Sequence, residues 1–194
     1  APEWEAVKRE LLYGKAYGAT WMTEVQGGSD LGANRTLARR EGEAYRLYHG
    51  DKYFASGAGL ADYALVTARP EGAPEGPKGL ALFLLPREAE GRLNFRVRRF
   101  MEKLATRAVP SGEVELEGSL AYLLGRPEEG IYYTLETLTV ARLANAVAAM
   151  GLAKKAHLEA LFRVRRRTAF GRRLLDHDLV QHDLLEMRLR QVGG

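Results

Sequence analysis

At 194 residues the chain has room for one sizeable domain, or for one domain with an appended helical segment. Its apolar share of 46% and charged share of 28% are those of an ordinary globular protein and exclude a disordered chain. Cysteine is absent, which removes disulfides, thiolate nucleophiles, iron–sulfur clusters and cysteine zinc sites together. No window approaches the roughly 18 uninterrupted apolar residues of a membrane span, and the start, Ala-Pro-Glu-Trp-Glu, has no apolar core of a secretory signal. A cytoplasmic location is the expectation. The net charge of +4 is uneven. Arginine concentrates at Arg163, Arg165, Arg166, Arg167, Arg172 and Arg173, with smaller groups at Arg96, Arg98 and Arg99 and at Arg39 and Arg40. Such patches attract phosphate, whether of nucleic acid, a dinucleotide or CoA, and composition does not choose among them.

Taken in order, Trp4, Val7, Leu11 and Leu12 recur at helical spacing and predict a short amphipathic helix over Trp4–Ala16. From about Gly18 to Gly125, short apolar runs alternate with Gly, Pro and charged turns, the pattern of an all-β region. Strands are expected at Ala19–Glu24, Thr36–Arg40, Tyr45–Tyr48, Tyr53–Ser56, Tyr63–Ala68, Leu80–Leu85, Phe95–Arg98, Glu113–Leu116 and Ala121–Leu124. Leu80–Leu85 is apolar throughout and is expected to be buried on both faces. Arg69–Lys78, with three prolines and two glycines, reads as a solvent loop.

Beyond Glu128 the periodicity becomes helical, through Ile131, Leu135, Leu138, Leu143, Val147, Met150 and Leu152. After Phe170-Gly171 a second helix carries Leu179, Leu184, Leu185, Met187 and Leu189. The expected fold is therefore α+β: a β-barrel or sandwich followed by two long antiparallel helices of an incomplete bundle. The boundaries expected are residues 1–17 for an N-terminal helical segment, 18–127 for the β-domain and 128–194 for the partial helical domain. Two helices do not bury their apolar faces alone, so further chain or another subunit is expected to cover them.

The densest stretch is Trp21-Met22-Thr23-Glu24-Val25-Gln26-Gly27-Gly28-Ser29-Asp30. A strand runs into a glycine-rich loop whose backbone N–H groups can approach a ligand, with hydroxyls beside them. As a bare pattern this is also ordinary turn chemistry. The stretch resembles the flavin-binding signature of acyl-CoA dehydrogenases, in which a Thr-Glu pair precedes Gly-Ser-Asp. Its Gln-Gly-Gly form, with Asn34 and Thr36 following, is most similar to the branch that includes the bacterial alkylation-response flavoprotein.

Three further stretches resemble the same family in order. Gly50-Asp51-Lys52-Tyr53-Phe54-Ala55-Ser56, then Ala61-Asp62, is similar to its second flavin strand. The resemblance puts Phe54 beside the isoalloxazine and Ser56 at its reactive edge, although Phe54 also reads as a strand core residue. Lys103-Leu104-Ala105-Thr106-Arg107 resembles a Lys-Leu-Gly-x-Arg turn, with Ala105 in place of glycine. Arg167-Thr168-Ala169-Phe170-Gly171 resembles Arg-x-x-Phe-Gly, whose arginine and phenylalanine contact flavin phosphate and adenine across a subunit interface.

The resemblance implies FAD held by Met22, Thr23, Gly28, Ser29, Phe54, Ser56, Arg167 and Phe170, and α,β-dehydrogenation of an acyl-CoA thioester by hydride transfer to the flavin. It also implies an electron-accepting flavoprotein or other acceptor and a homo-oligomer, dimer or tetramer. In one branch the catalytic glutamate immediately precedes an arginine on the first long helix. The matching arginine is Arg142, preceded by Ala141, so no carboxylate here is carried over as the base. Two further departures are Thr139, where a CoA-contacting acid often stands, and His177-Asp178, where a Gln or His-Gln often meets the flavin. Arg142 reads as a CoA contact or as a helix-packing residue. The alternative function is a DNA-associated flavoprotein with little dehydrogenase activity, favoured by the Gln-Gly-Gly variant, Thr139 and the basic surface. An inactive fragment is a third reading. His157, His177 and His182 read as surface or packing residues, and no P-loop, G-x-G-x-x-G, G-x-S-x-G or His-Glu-x-x-His is present.

Overall fold

A computed structural model describes residues 4–193. Residues 1–3 of the expected N-terminal segment and residue 194 of the expected helical domain lie outside the described residues. The chain divides into two compact units, Ala1–Leu135 and Glu136–Gly194.

The first unit opens with helix α1 (Trp4–Leu12), which buries Val7. It stops short of the predicted Ala16 because Gly14 takes φ +66, letting the N–H of Lys15 reach the Glu10 carbonyl (2.8 Å) and that of Gly14 reach Leu11 (3.3 Å). This is a glycine-capped helix end, satisfying carbonyls the helix leaves open.

The strands follow as β1 (Gly18–Trp21), β2 (Leu37–Glu41), β3 (Ala44–Tyr48), β4 (Gly50–Ser56), β5 (Tyr63–Pro70), β6 (Ala81–Pro86), β7 (Glu88–Ala89), β8 (Arg92–Leu93), β9 (Arg96–Phe100), β10 (Ser111–Leu116) and β11 (Ser119–Leu124). Every strand expected from the sequence has its counterpart, and the β7–β8 hairpin is additional. One edge of β5 carries two parallel partners in turn: β1 against Tyr63–Val66 and β2 against Arg69–Pro70. The other edge pairs antiparallel with β6. Because β2 pairs with β3, β3 with β11 and β11 with β6, the sheet closes on itself as a barrel. Closure leaves fewer open edges.

A second sheet, ordered β4-β10-β9, contributes Ala55, Val114 and Leu116 to the same core as Trp21, Leu47, Val66, Phe83 and Leu85 of the barrel. Trp21 meets Phe95 edge-to-face with centroids 4.9 Å apart. Every residue from Leu80 to Leu85 is buried, as its unbroken apolar run predicts.

Helix α2 (Gly130–Arg166) is 37 residues long, and the division between units falls within it. In the second unit it is followed by a hairpin, β12 (Thr168–Ala169) with β13 (Arg172–Arg173), and by α3 (Asp178–Gly193). Few side chains are buried there, among them His157 and Leu184. Val140, Leu143, Val147, Leu152 and Phe162 on α2, and Leu179, Leu185 and Leu189 on α3, are exposed. Among the described residues no helix is long and apolar enough to cross a membrane.

Candidate functional site

Immediately after β1 the chain leaves the barrel but stays tied to β4. The Tyr53 N–H donates to the Thr23 carbonyl (2.9 Å), and Glu24 bridges to both Lys52 and Gly27. Met22 is buried, Thr23 half-buried, and Gly28, Ser29 and Asp30 are exposed. Gly27 is required by space: a Cβ there would stand 2.7 Å from the Asp30 carbonyl oxygen and 2.8 Å from Asn34 Oδ1. Gly28 lies against Thr23, with a Cβ position 3.3 Å from its methyl group. Among the described residues, neither Gly28 nor Ser29 uses its backbone N–H within the chain. The loop therefore presents free donors beside the Thr23 hydroxyl.

β4 is bulged where it passes this loop. Gly112 of β10 pairs with Ala55 and Val114 pairs with Lys52, so Glu113 faces two residues, Tyr53 and Phe54. The extra residue is absorbed by Phe54, whose φ of 56° is an unfavourable conformation for an aromatic side chain. Phe54 is 60% exposed and packs edge-on against Tyr53, with centroids 4.6 Å apart. The bulge also reverses the side-chain parity of the strand beyond it. Lys52 and Ala55 point inward, whereas Ser56 is exposed. The indole N–H of buried Trp21 donates to the Ser56 carbonyl (2.8 Å). Thr23, Phe54 and Ser56 are thus held by adjoining elements of one unit. Beside Ser56 runs an apolar groove of about 1010 Å³ whose walls include Leu11, Tyr17, Ala19, Leu65 and Leu84.

Beneath the loop lies a feature the sequence motifs did not single out. Lys52 and Glu24 form an ion pair at 2.7 Å with neither side chain exposed (0% each). The Lys52 ammonium also donates to the Thr67 carbonyl (2.7 Å). The Glu24 carboxylate accepts from Arg35 N–H (2.7 Å), Thr36 N–H (3.3 Å), the Thr36 hydroxyl and the Gln26 amide (2.6 Å). Burial alone raises the Glu24 carboxyl, but Lys52, Thr36 and Arg35 outweigh it and hold it below its ordinary value. Burial pulls the Lys52 ammonium down, against the attraction of Glu24. Asn34 completes the floor, donating to the Met22 carbonyl (2.6 Å) and the Thr67 hydroxyl (3.2 Å). No sequence signal marks this lysine as buried: Asp51 stands beside it and Ser56 ends the same strand, and strand parity gives no way to place it inside.

The Lys-Leu-Ala-Thr-Arg turn is closed by its own ends. Lys103 donates to the Val109 carbonyl (2.6 Å) and the Ser111 hydroxyl (3.1 Å), and Arg107 to the Lys103 carbonyl (2.7 Å). Ser111 then pairs with Ser56 across the sheet. The left-handed residue of this turn is Thr106 (φ 54), not Ala105, so alanine in place of glycine is accommodated.

Arg142, Arg167 and Phe170 belong to the second unit. Arg142 is exposed on α2. Phe170 (φ 53) and Gly171 (φ 79) form the two-residue turn between β12 and β13, whose positive φ angles suit a tight hairpin. Phe170 is 96% exposed at its tip, in edge contact with His177. Arg167 is exposed where α2 ends, its N–H donating to the Arg163 carbonyl (3.0 Å). Arg166 stacks over Phe162 at 3.8 Å.

Comparison with known proteins places the chain in a family. Residues 19–119 match the family "Acyl-CoA dehydrogenase, middle domain", and residues 128–193 match "Acyl-CoA dehydrogenase, C-terminal domain". The putative acyl-CoA dehydrogenase AidB of Escherichia coli is 35% identical over 96% of this chain and 32% of its own length. The short-chain specific acyl-CoA dehydrogenase of Clostridium acetobutylicum is 30% identical over 84% of this chain and 43% of its own. Among solved structures, Caenorhabditis elegans ACDH-11 in complex with C11-CoA has a TM-score of 0.84 at 34% identity, covering 90% of this chain and 30% of that one. Butyryl-CoA dehydrogenase from Megasphaera elsdenii gives 0.85 at 25% identity, covering 97% and 50%. The chain belongs to the acyl-CoA dehydrogenase family, whose members are FAD-dependent oxidoreductases. It spans between about a third and a half of the length of these relatives.

Proposed function

We propose that this chain is the flavin-cradling part of an FAD-dependent acyl-CoA dehydrogenase. The observation that carries the reading is Phe54: an aromatic ring held in a left-handed conformation at a bulge and presented to solvent rather than to the core. Strain of this kind persists only where the surroundings enforce it, and it gathers at ligand sites. The residues fit the cofactor. Phe54 offers a ring wall, Thr23 and Ser56 offer hydroxyls, and Gly28 and Ser29 offer free backbone donors for the polar edge. Bound flavin supplies an acceptor for the hydride that leaves the β-carbon of a CoA thioester. The chain's part is to hold the ring with Met22 and Phe54, to donate hydrogen bonds from Thr23, Ser56, Gly28 and Ser29, and to line the neighbouring groove with apolar side chains. Arg167 and Phe170 are proposed for the phosphate and adenine of FAD, and Arg142 for the CoA arm. The base, the electron-accepting partner, homo-oligomer formation and a cytoplasmic location belong to the same proposal, the base lying outside these residues.

Purification with excess FAD, removal of free flavin and a visible absorption spectrum test it. Retained flavin bands, perturbed on addition of acyl-CoA, are expected. A colourless protein overturns the reading for this chain.

A second reading, a DNA-associated flavoprotein, is favoured by one observation. Arg163, Arg165 and Arg167 are exposed and, among the described residues, have no acidic partner. If they bind duplex DNA through phosphates, affinity falls steeply between low and moderate salt. Absence of binding, or binding indifferent to salt, removes this alternative.

A further inference from the structure

We infer that the buried Glu24–Lys52 pair is a positioning device for the flavin cradle, locking the loop that carries Thr23, Gly28 and Ser29 to the bulged strand that carries Phe54 and Ser56. The inference rests on the flavin reading above and concerns how the cradle is kept in place before a ligand arrives.

Stability alone is a poor explanation for this pair. Removing two charges from water is costly, and well-packed apolar residues of similar volume often do as well or better. What distinguishes the pair is where its hydrogen bonds go. Glu24 sits at the entry of the loop and accepts from Arg35 and Thr36 at its exit, so one carboxylate clamps both ends of the Gly27–Asp30 turn. Lys52 sits two residues before Phe54, and its ammonium joins that clamp to the Thr67 carbonyl on β5. The backbone pairs at the same place, through the Glu24–Lys52 bridge and the Tyr53 N–H to the Thr23 carbonyl. A slip of one residue between the loop and β4 would carry Thr23 away from Phe54. It would also strand a buried charge, which makes the slipped register costly.

An apolar pair fills space without specifying register, so the two roles are separable. The test uses E24Q and K52M singly and the double variant E24L/K52M. Three quantities are read: global unfolding free energy, amide exchange of residues 23–36 in the flavin-free chain, and FAD affinity from flavin fluorescence. The double variant leaves no charge buried alone but deprives the Arg35 and Thr36 N–H groups of their acceptor, so it is expected to be less stable than wild type yet to lose less global stability than K52M. Its loop is expected to exchange about tenfold faster or more, and its FAD dissociation constant to rise about tenfold or more. E24Q, which keeps shape and removes only the charge, is expected to move the same two readouts in the same direction, and serves if K52M does not fold. Unchanged loop exchange and FAD affinity in a folded double variant overturn the inference. If instead the wild type takes up no flavin while the variants loosen the loop, the flavin reading fails, and with it the pair's service to a flavin.

Discussion

The indole N–H of Trp21 reaches across the core to the carbonyl oxygen of Ser56, 2.8 Å away. A buried side chain at the end of β1 thereby fixes the backbone of the last residue of β4, just beyond its bulge. Trp21 also packs edge-to-face on Phe95. W21F removes the donor and part of the ring, and the expected cost is about 2–3 kcal/mol of unfolding free energy. Denaturant titration checks it. A loss below about 0.5 kcal/mol would show that the bond to Ser56 contributes nothing net.

Phe54 sets strain against contact. A left-handed non-glycine residue costs about 1–3 kcal/mol, whereas its edge contact with Tyr53 contributes about 0.5–1.5 kcal/mol beyond area. Glycine adopts the same φ freely. F54G is therefore expected to unfold within about 1 kcal/mol of wild type, on either side, while FAD affinity falls about tenfold or more. Thermal unfolding and flavin titration on the same sample separate the two effects. A large stability loss with unchanged flavin affinity would make Phe54 a packing residue.

The bulge at Phe54 also marks where the sequence stopped being readable. Strand existence was legible because period-two runs are broken by Gly, Pro and charged turns. The double-sided burial of β6 was legible because Leu80–Leu85 contains no polar residue. Parity alone places Phe54 on the same side as Lys52, and therefore either both inside or both outside. One inserted residue breaks that alternation, and nothing in Tyr53-Phe54-Ala55 announces it. Lys52 was illegible for a related reason: a lysine is read as solvent-facing unless its partner is known, and Glu24 becomes its partner only through tertiary pairing. The candidate site rests on resemblance of the motifs to the family, and geometry supplied the physical reasons for Gly27 and Thr106.

Two adjacent glycines are expected to behave differently. At Gly27 a Cβ would collide with backbone at 2.7 Å, an overpacking that neighbouring atoms cannot relieve by rotation. At Gly28 the nearest atom is the Thr23 methyl group at 3.3 Å, which needs only a small displacement. G27A is expected to cost about 2 kcal/mol or more. G28A is expected to lie within about 1 kcal/mol of wild type, because alanine also restricts the unfolded chain. Paired melting curves decide it, and equal losses at the two positions would contradict the loop geometry.

The acid limb of stability tests the charge state of Glu24. Its folded carboxyl lies below the ordinary value of 4.5, because Lys52, Thr36 and Arg35 outweigh the effect of burial. Between the folded and unfolded values the unfolded chain binds more protons, so the stabilisation is fully present above pH 4.5 and is lost as pH falls through the folded value. Glu113 and Glu115, held low by Arg99 and by Arg98 and Arg96, add to the same limb. The Glu24 share is therefore read as a difference. E24Q is expected to be less stable than wild type at neutral pH, and the gap is expected to narrow as pH falls from about 5 towards 3. Melting temperatures of the two proteins across that range measure it. A gap that stays constant with pH would mean that the Glu24 carboxyl titrates alike in the folded and unfolded chains, and a wild type that gains on E24Q as pH falls would mean that the carboxyl is raised and already protonated when folded.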